Sequence, residues 1–244
     1  MQTRLTSSHA VEKVRFAAPD GVELEGELRE PDGEHRGSAV ICHPHPQHGG
    51  SKDHPLLWAI RNELSSRGLA VLSFNFRGIM GSEGEHSGGA LEVGDARAAV
   101  DRARRAAQGL TFMAGWSFGA NVALREAVED ERVAGLALVG MPLAESSIDL
   151  PALPERSVLA SFRRPVLLVA GEADQFCPVP ELRALARRIP GAEVLILAGT
   201  DHFFWKRERE VANGIGEFLS HALFQEGKDG YRDDTQTPRA DSRA

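Results

Sequence analysis

The sequence predicts an α/β fold in one domain over residues 1–224: a mostly parallel sheet with helices on both faces. Three observations carry this expectation. Short apolar runs alternate with longer helical patterns from residue 38 to residue 219, as repeated β-α units require. Several of the runs, such as Ser38–Cys42 (SAVIC), are continuously apolar, which suits strands buried on both faces. Helix-stopping glycines, among them Gly68 and Gly109, fall between the units.

Taken in order, Val11–Ala17 and Val22–Leu28 alternate apolar with polar residues around Asp20-Gly21, so they read as a half-exposed hairpin. Pro31-Asp32-Gly33 makes a turn, and SAVIC follows as a buried strand. His43-Pro44-His45-Pro46-Gln47-His48-Gly49-Gly50 then excludes helix and central strand, and forms a loop. Leu57, Ile60 and Leu64 mark a helix, Ala70–Phe76 a strand, Arg77–Gly89 a polar loop, and Leu91–Ala107 a helix. Strands are expected at Thr111–Trp116, Val133–Val139, Pro165–Ala170 and Ala192–Leu197, with helices after Ser117, over Pro180–Ile189 and around Val211, Ile215, Phe218 and Leu219. Between Val139 and Pro165 there is room for a helical turn near Glu155–Phe162 but not for a large cap, so the site should be shallow and open. Residues 225–244 are charged and short of apolar side chains, and are expected to be a disordered tail.

Composition narrows the function classes. The 244 residues are 42% hydrophobic and carry a net charge of -7, which argues against nucleic acid and anionic membranes as partners. The amino terminus lacks the apolar core of a signal peptide, and no run is long enough to span a bilayer. The two cysteines, Cys42 and Cys177, form no C-x-x-C pair, so reduced thiols and a cytoplasmic location are expected. The sequence gives no oligomeric state.

The chemistry centres on Thr111–Glu126 (TFMAGWSFGANVALRE), a strand, a Gly115-Trp116-Ser117-Phe118-Gly119 turn and a helix. This is the nucleophile-elbow pattern. Ser117 must stand at the tip of a tight turn, and side chains two positions either side would strike backbone, so both positions are glycine. A serine hydroxyl needs a base, and the base an orienting acid. In strand–elbow–helix architectures both follow the serine, acid first. His202 and His221 are the only histidines after Ser117. His202 lies in a loop directly after a strand, where open α/β sheets place their sites, whereas His221 sits within the last helix. Asp174, in the loop after Pro165–Ala170, is the preferred acid, with Glu172 and Asp201 as rivals.

Acyl transfer also needs two oxyanion donors. The N–H of Phe118, next after the nucleophile, is one. The other should come from the histidine–proline loop, where Pro44 and Pro46 have no N–H. That leaves His43 or His45, and His45 projects further over the site. A competing reading gathers His43, His45, His48 and His54 around a metal such as zinc, but no acidic or cysteine ligand cluster lies nearby; no metal is expected. Trp116, Phe176 and Phe203, with Phe118, Phe204 and Trp205, are candidates for an apolar substrate wall, although core packing explains Trp116 and Phe204 equally well. Arg77, Glu83 and His86 are charged or polar candidates near the mouth.

These motifs together resemble the α/β-hydrolase superfamily, and within it small cap-less bacterial hydrolases distantly like the dienelactone hydrolases. The resemblance runs from Val40 to His221 and rests on His43-Pro44-His45-Pro46 with Gly49-Gly50, Phe74-Asn75-Phe76-Arg77-Gly78, Ser82-Glu83-Gly84, the elbow, Gly171-Glu172-Ala173-Asp174 and Asp201-His202-Phe203-Phe204. It implies an eight-stranded sheet, a Ser117/Asp174/His202 triad, no cofactor and hydrolysis of an ester-like bond. Two departures stand out. Dienelactone hydrolases proper use a cysteine where Ser117 stands, so their substrate does not carry over. The closer group has a Gly-x-Gly turn after the arginine, and here Met80 takes the second glycine's place.

The function expected is therefore a serine esterase acting on a small-molecule ester, with thioesterase as the nearest alternative. An aminopeptidase is disfavoured because no extra domain selects a peptide terminus. A non-catalytic binding module on the same fold is the alternative from another class, and lipid-surface binding through Phe203-Phe204-Trp205 requires those rings to be exposed.

Overall fold

The computed structural model describes residues 11–31, 33–144 and 150–224; the expected tail, 225–244, lies outside the described residues. The strands are β1 (Val11–Ala17), β2 (Glu23–Arg29), β3 (Gly37–Cys42), β4 (Leu69–Phe74), β5 (Leu110–Trp116), β6 (Val133–Val139), β7 (Val166–Gly171) and β8 (Glu193–Leu197). The helices are α1 (Pro55–Ser66), α2 (Glu92–Ala106), α3 (Phe118–Glu129), α4 (Arg156–Ser161), α5 (Val179–Ala186) and α6 (Glu208–Leu223). The strands form one sheet in the order β1-β2-β4-β3-β5-β6-β7-β8. β1 pairs antiparallel with β2 and β2 with β4, and all later pairings are parallel.

The sequence patterns explain the layers. β2 alternates buried and half-buried residues, whereas every residue of β3, β4 and β7 is buried, because helices cover both faces of the inner strands. One face packs Val93, Val100, Val122 and Leu124 of α2 and α3 against the sheet. The other packs Leu57 and Ile60 of α1 with Val211, Ile215 and Phe218 of α6. Such apolar burial, at about 25 cal/mol per Å², is the main force holding the layers together. Between β6 and β7 the described residues add only the six-residue α4, so no large cap covers the sheet's C-terminal edge.

Most boundaries fall within one residue of expectation, and two differ by more. The strand expected to reach Phe76 stops at Phe74, because the Phe76 N–H donates to the His43 ring, 3.0 Å away, instead of to a neighbouring strand. The helix expected to reach Ile189 ends at Ala186. Its N–H groups at Arg188 and Ile189 bond three residues back, to Leu185 and Ala186, closing the helix in a tighter turn.

Candidate active site

Ser117 joins β5 to α3 with φ 55° and ψ -122°, a backbone conformation that costs a non-glycine residue roughly 1–3 kcal/mol. Its N–H donates to Val139 O at 2.8 Å, tying the turn to β6. The flanking glycines are obligatory: a Cβ on Gly115 would stand 2.3 Å from Gly119 O, and one on Gly119 would stand 2.3 Å from Cys42 O. The turn is thereby held against the C-terminal ends of β3 and β6, with its side chain aimed outward.

The loops after β7 and β8 bring two more side chains to this point. Glu172 N–H donates to Leu197 O and Ala173 N–H to Thr200 O, lacing the loops together. A Cβ on Gly171 would meet Thr200 O at 2.4 Å. In this frame His202 Nε2 lies 3.0 Å from Ser117 Oγ, and Nδ1 lies 2.9 Å from Asp174 Oδ2. Asp174 Oδ1 accepts the N–H groups of Phe176 and Cys177, both at 2.9 Å. The carboxylate is fully buried and acts as an acceptor, so Nδ1–H donates to it and bare Nε2 faces the Ser117 hydroxyl.

The rivals are elsewhere. Glu172 Oε2 accepts the Gly199 N–H, and Asp201 Oδ1 accepts the Phe203 N–H. His221 is exposed on α6, 2.8 Å from Glu193. Two contributors are invisible in the motifs. Gly140, at φ 52°, follows β6, and a Cβ there would stand 3.2 Å from both Asp174 Oδ2 and His202 Nδ1. Its only sequence signal is a glycine directly after an apolar strand. Trp116 Nε1–H donates to His202 O at 3.2 Å, so this side chain, 2% exposed, positions the histidine loop as well as lining the cavity.

The histidine–proline loop sets His45 and His48 side by side, with ring centroids 4.7 Å apart, and sends His43 inward. Buried His43 accepts the Phe76 N–H at Nε2 and donates from Nδ1 to Pro44 O at 2.6 Å. Burial pushes its pKa down to about 4, so it is a neutral brace. His54 Nδ1 accepts the Leu56 N–H and caps α1, and His45 Nδ1 accepts the Gln47 N–H. Among the described residues no group of three His, Cys, Asp or Glu side chains is placed to hold a metal. Cys42 and Cys177 are both free and buried.

Of the charged or polar mouth candidates, Arg77 is 3% exposed and bonds Asp95 and Asp20. It fastens the loop after β4 instead of meeting solvent. Glu83 is exposed. His86 packs against Phe118 and His45, with ring centroids 5.4 and 5.0 Å apart. Met80 has φ 53°, so the glycine-like conformation of this turn is kept without the glycine. Phe204 is fully buried whereas Phe203 and Trp205 are 44% and 62% exposed, so the three rings do not form one exposed strip.

A cavity of about 410 Å³ opens over Ser117 and His202, walled by Trp116, Phe176, Phe203 and Trp205 together with His45, His48 and His54. A larger one, about 610 Å³, lies around Arg77, Arg97 and Pro151. Its Arg97 is already bonded to Glu126 and Glu129.

Residues 39–221 match the model of the alpha/beta hydrolase domain, well over half of the chain. The chain belongs to the α/β-hydrolase family. It is similar to an alpha-beta serine hydrolase homologue from Coxiella burnetii, with 28% identity, 89% of this chain and 100% of that chain covered, and a TM-score of 0.75. A serine hydrolase without lid from Xanthomonas campestris has the same fold, with 22% identity, 90% and 97% coverage, and a TM-score of 0.72. An uncharacterized protein of Rickettsia prowazekii is 26% identical over 216 residues, 85% of this chain and 88% of its own length. The match to the hydrolase domain and the likeness to the Coxiella burnetii homologue make the protein a hydrolase. Among the described residues no helix is long and apolar enough to cross a membrane.

Proposed function

We propose that this hydrolase cleaves small carboxylic esters through a Ser117–His202–Asp174 triad and an acyl-enzyme intermediate. The observation that carries the reading is the unbroken chain Ser117 Oγ–His202–Asp174, at 3.0 and 2.9 Å, ending on a serine held at positive φ. His202 Nε2 takes the hydroxyl proton as Ser117 Oγ bonds to the acyl carbon, and Asp174 stabilises the resulting imidazolium. The oxyanion is received by the N–H groups of Phe118 and His45. Phe118 opens α3, and no acceptor among the described residues takes its N–H; His45 lines the same cavity as Ser117. His202 then passes its proton to the leaving oxygen, and water repeats the sequence to free the acid and Ser117. The chain's own residues account for each of these proton transfers, so no cofactor is invoked.

A thioester fits the same machinery, and relative rates on matched oxygen and sulfur esters decide between them. The test of the reading itself is labelling with a fluorophosphonate at neutral pH. Wild type should be labelled, and Ser117→Ala and His202→Ala should not. Folded wild type that resists labelling would return the protein to the non-catalytic binding class.

A further inference from the structure

The identity of the leaving group is written in what surrounds His202. On the esterase reading above, the Ser117 Oγ–acyl carbon bond forms and the acyl carbon–alkoxy oxygen bond then breaks. The proton that His202 Nε2 took from Ser117 goes to that alkoxy oxygen, so the departing alcohol must lie against the His202 ring. Two phenyl rings stand there. Phe176 meets the imidazole edge-on at 4.8 Å and 64°, and Phe203 meets it at 5.6 Å and 88°. Neither is consumed by the core. Phe203 is largely exposed and Phe176 half-buried, and both line the cavity over Ser117. Among the described residues no Lys, Arg, Asp or Glu lines that cavity, whose polar side chains are Ser117 and the imidazoles of His45, His48, His54 and His202, so a charged group entering it would lose water and meet no permanently charged counter-ion. Flat aromatic faces and edges are instead met best by another flat ring.

We propose that the substrate is an uncharged ester whose leaving alcohol carries an aromatic or comparably flat apolar ring, held by Phe176 and Phe203. The volume of the cavity, about 410 Å³, is at the small end for ligand sites and suits a single ring with a short acyl group.

The experiment compares kcat/KM for benzyl acetate, ethyl acetate, ethyl phenylacetate and 4-carboxybenzyl acetate, beside fluorophosphonate labelling of the same protein. Benzyl alcohol and ethanol are leaving groups of similar acidity, so their ratio reads recognition and not bond strength. Benzyl acetate should exceed ethyl acetate by at least about tenfold, the scale on which apolar pockets discriminate, and the 4-carboxylate should remove that advantage. Phe203→Ala and Phe176→Ala should each lower the benzyl-to-ethyl ratio, a comparison made within each variant so that any general loss of rate cancels. Labelled wild type with a ratio near one, or with its preference following the ring in ethyl phenylacetate, overturns the proposal. Wild type that is folded but not labelled overturns the esterase reading itself, and this inference with it.

Discussion

Replacing Asp174 by Asn tests the proton chain with almost no change of shape. Asp174 Oδ1 accepts two backbone N–H groups, from Phe176 and Cys177, while Oδ2 meets His202 Nδ1 at 2.9 Å. An asparagine must turn its carbonyl oxygen to the two backbone donors, since its NH2 group cannot accept from them. That leaves the NH2 facing Nδ1, which must then accept. The imidazole proton moves to Nε2, and Nε2, 3.0 Å from Ser117 Oγ, becomes a donor where a base is needed. The expected loss in kcat/KM is about 10⁴-fold, or ~5.5 kcal/mol of transition-state stabilisation. Initial rates on p-nitrophenyl acetate and second-order labelling rates with a fluorophosphonate should fall together, while the melting temperature moves little. The companion Glu172→Gln, whose carboxylate bonds only the Gly199 N–H among the described residues, should retain activity. A folded Asp174→Asn protein within tenfold of wild type would refute the tautomer argument.

Three further outcomes follow from the packing. Gly119→Ala would place a Cβ 2.3 Å from Cys42 O and 2.5 Å from His43 O, both backbone. Urea unfolding should show a loss of about 3 kcal/mol or more, and an unchanged midpoint would contradict the close approach. Met80→Gly should stabilise by about 0.5–1 kcal/mol, or roughly 2 °C in melting temperature. Met80 sits at φ 53° and is 76% exposed, so strain is relieved and little burial is lost; a lower melting temperature would count against it. His43 is held neutral by burial, its pKa lowered from 6.5 to about 4. The unfolded chain therefore binds a proton below pH 6.5 that the folded chain refuses. Stability is fully present above pH 6.5 and falls as pH drops through 6.5 towards 4, by on the order of 3 kcal/mol. Denaturant midpoints of a folded His43→Gln variant should be flatter across that window, and an equally steep loss would assign the effect to other groups.

The sequence by itself determined the sheet-and-helix alternation, because period and burial are local: the SAVIC run, apolar from Ala39 and short between turn signals, suits a strand covered on both faces. It also pointed to the elbow, since Gly115 and Gly119 flank Ser117 between an apolar strand and a helical pattern. The candidates for base and acid are legible as loop residues after strands, with Asp174 preferred over Glu172 and over Asp201, the sequence neighbour of His202. Where each of these side chains points is a matter of tertiary structure. The loops after β7 and β8 lock together through Gly171 and Thr200, aiming Asp174 at His202 while Glu172 turns to the Gly199 N–H across the two loops and Asp201 to the nearby Phe203 N–H. It also decided what the histidine-rich loop does, because the partners of His43, Phe76 and Pro44, are fixed by where β4 ends and by how the loop itself folds. Gly140 and the Trp116 indole became visible only there. Their roles are close approaches between segments far apart in the chain, and no local pattern encodes a contact of that kind.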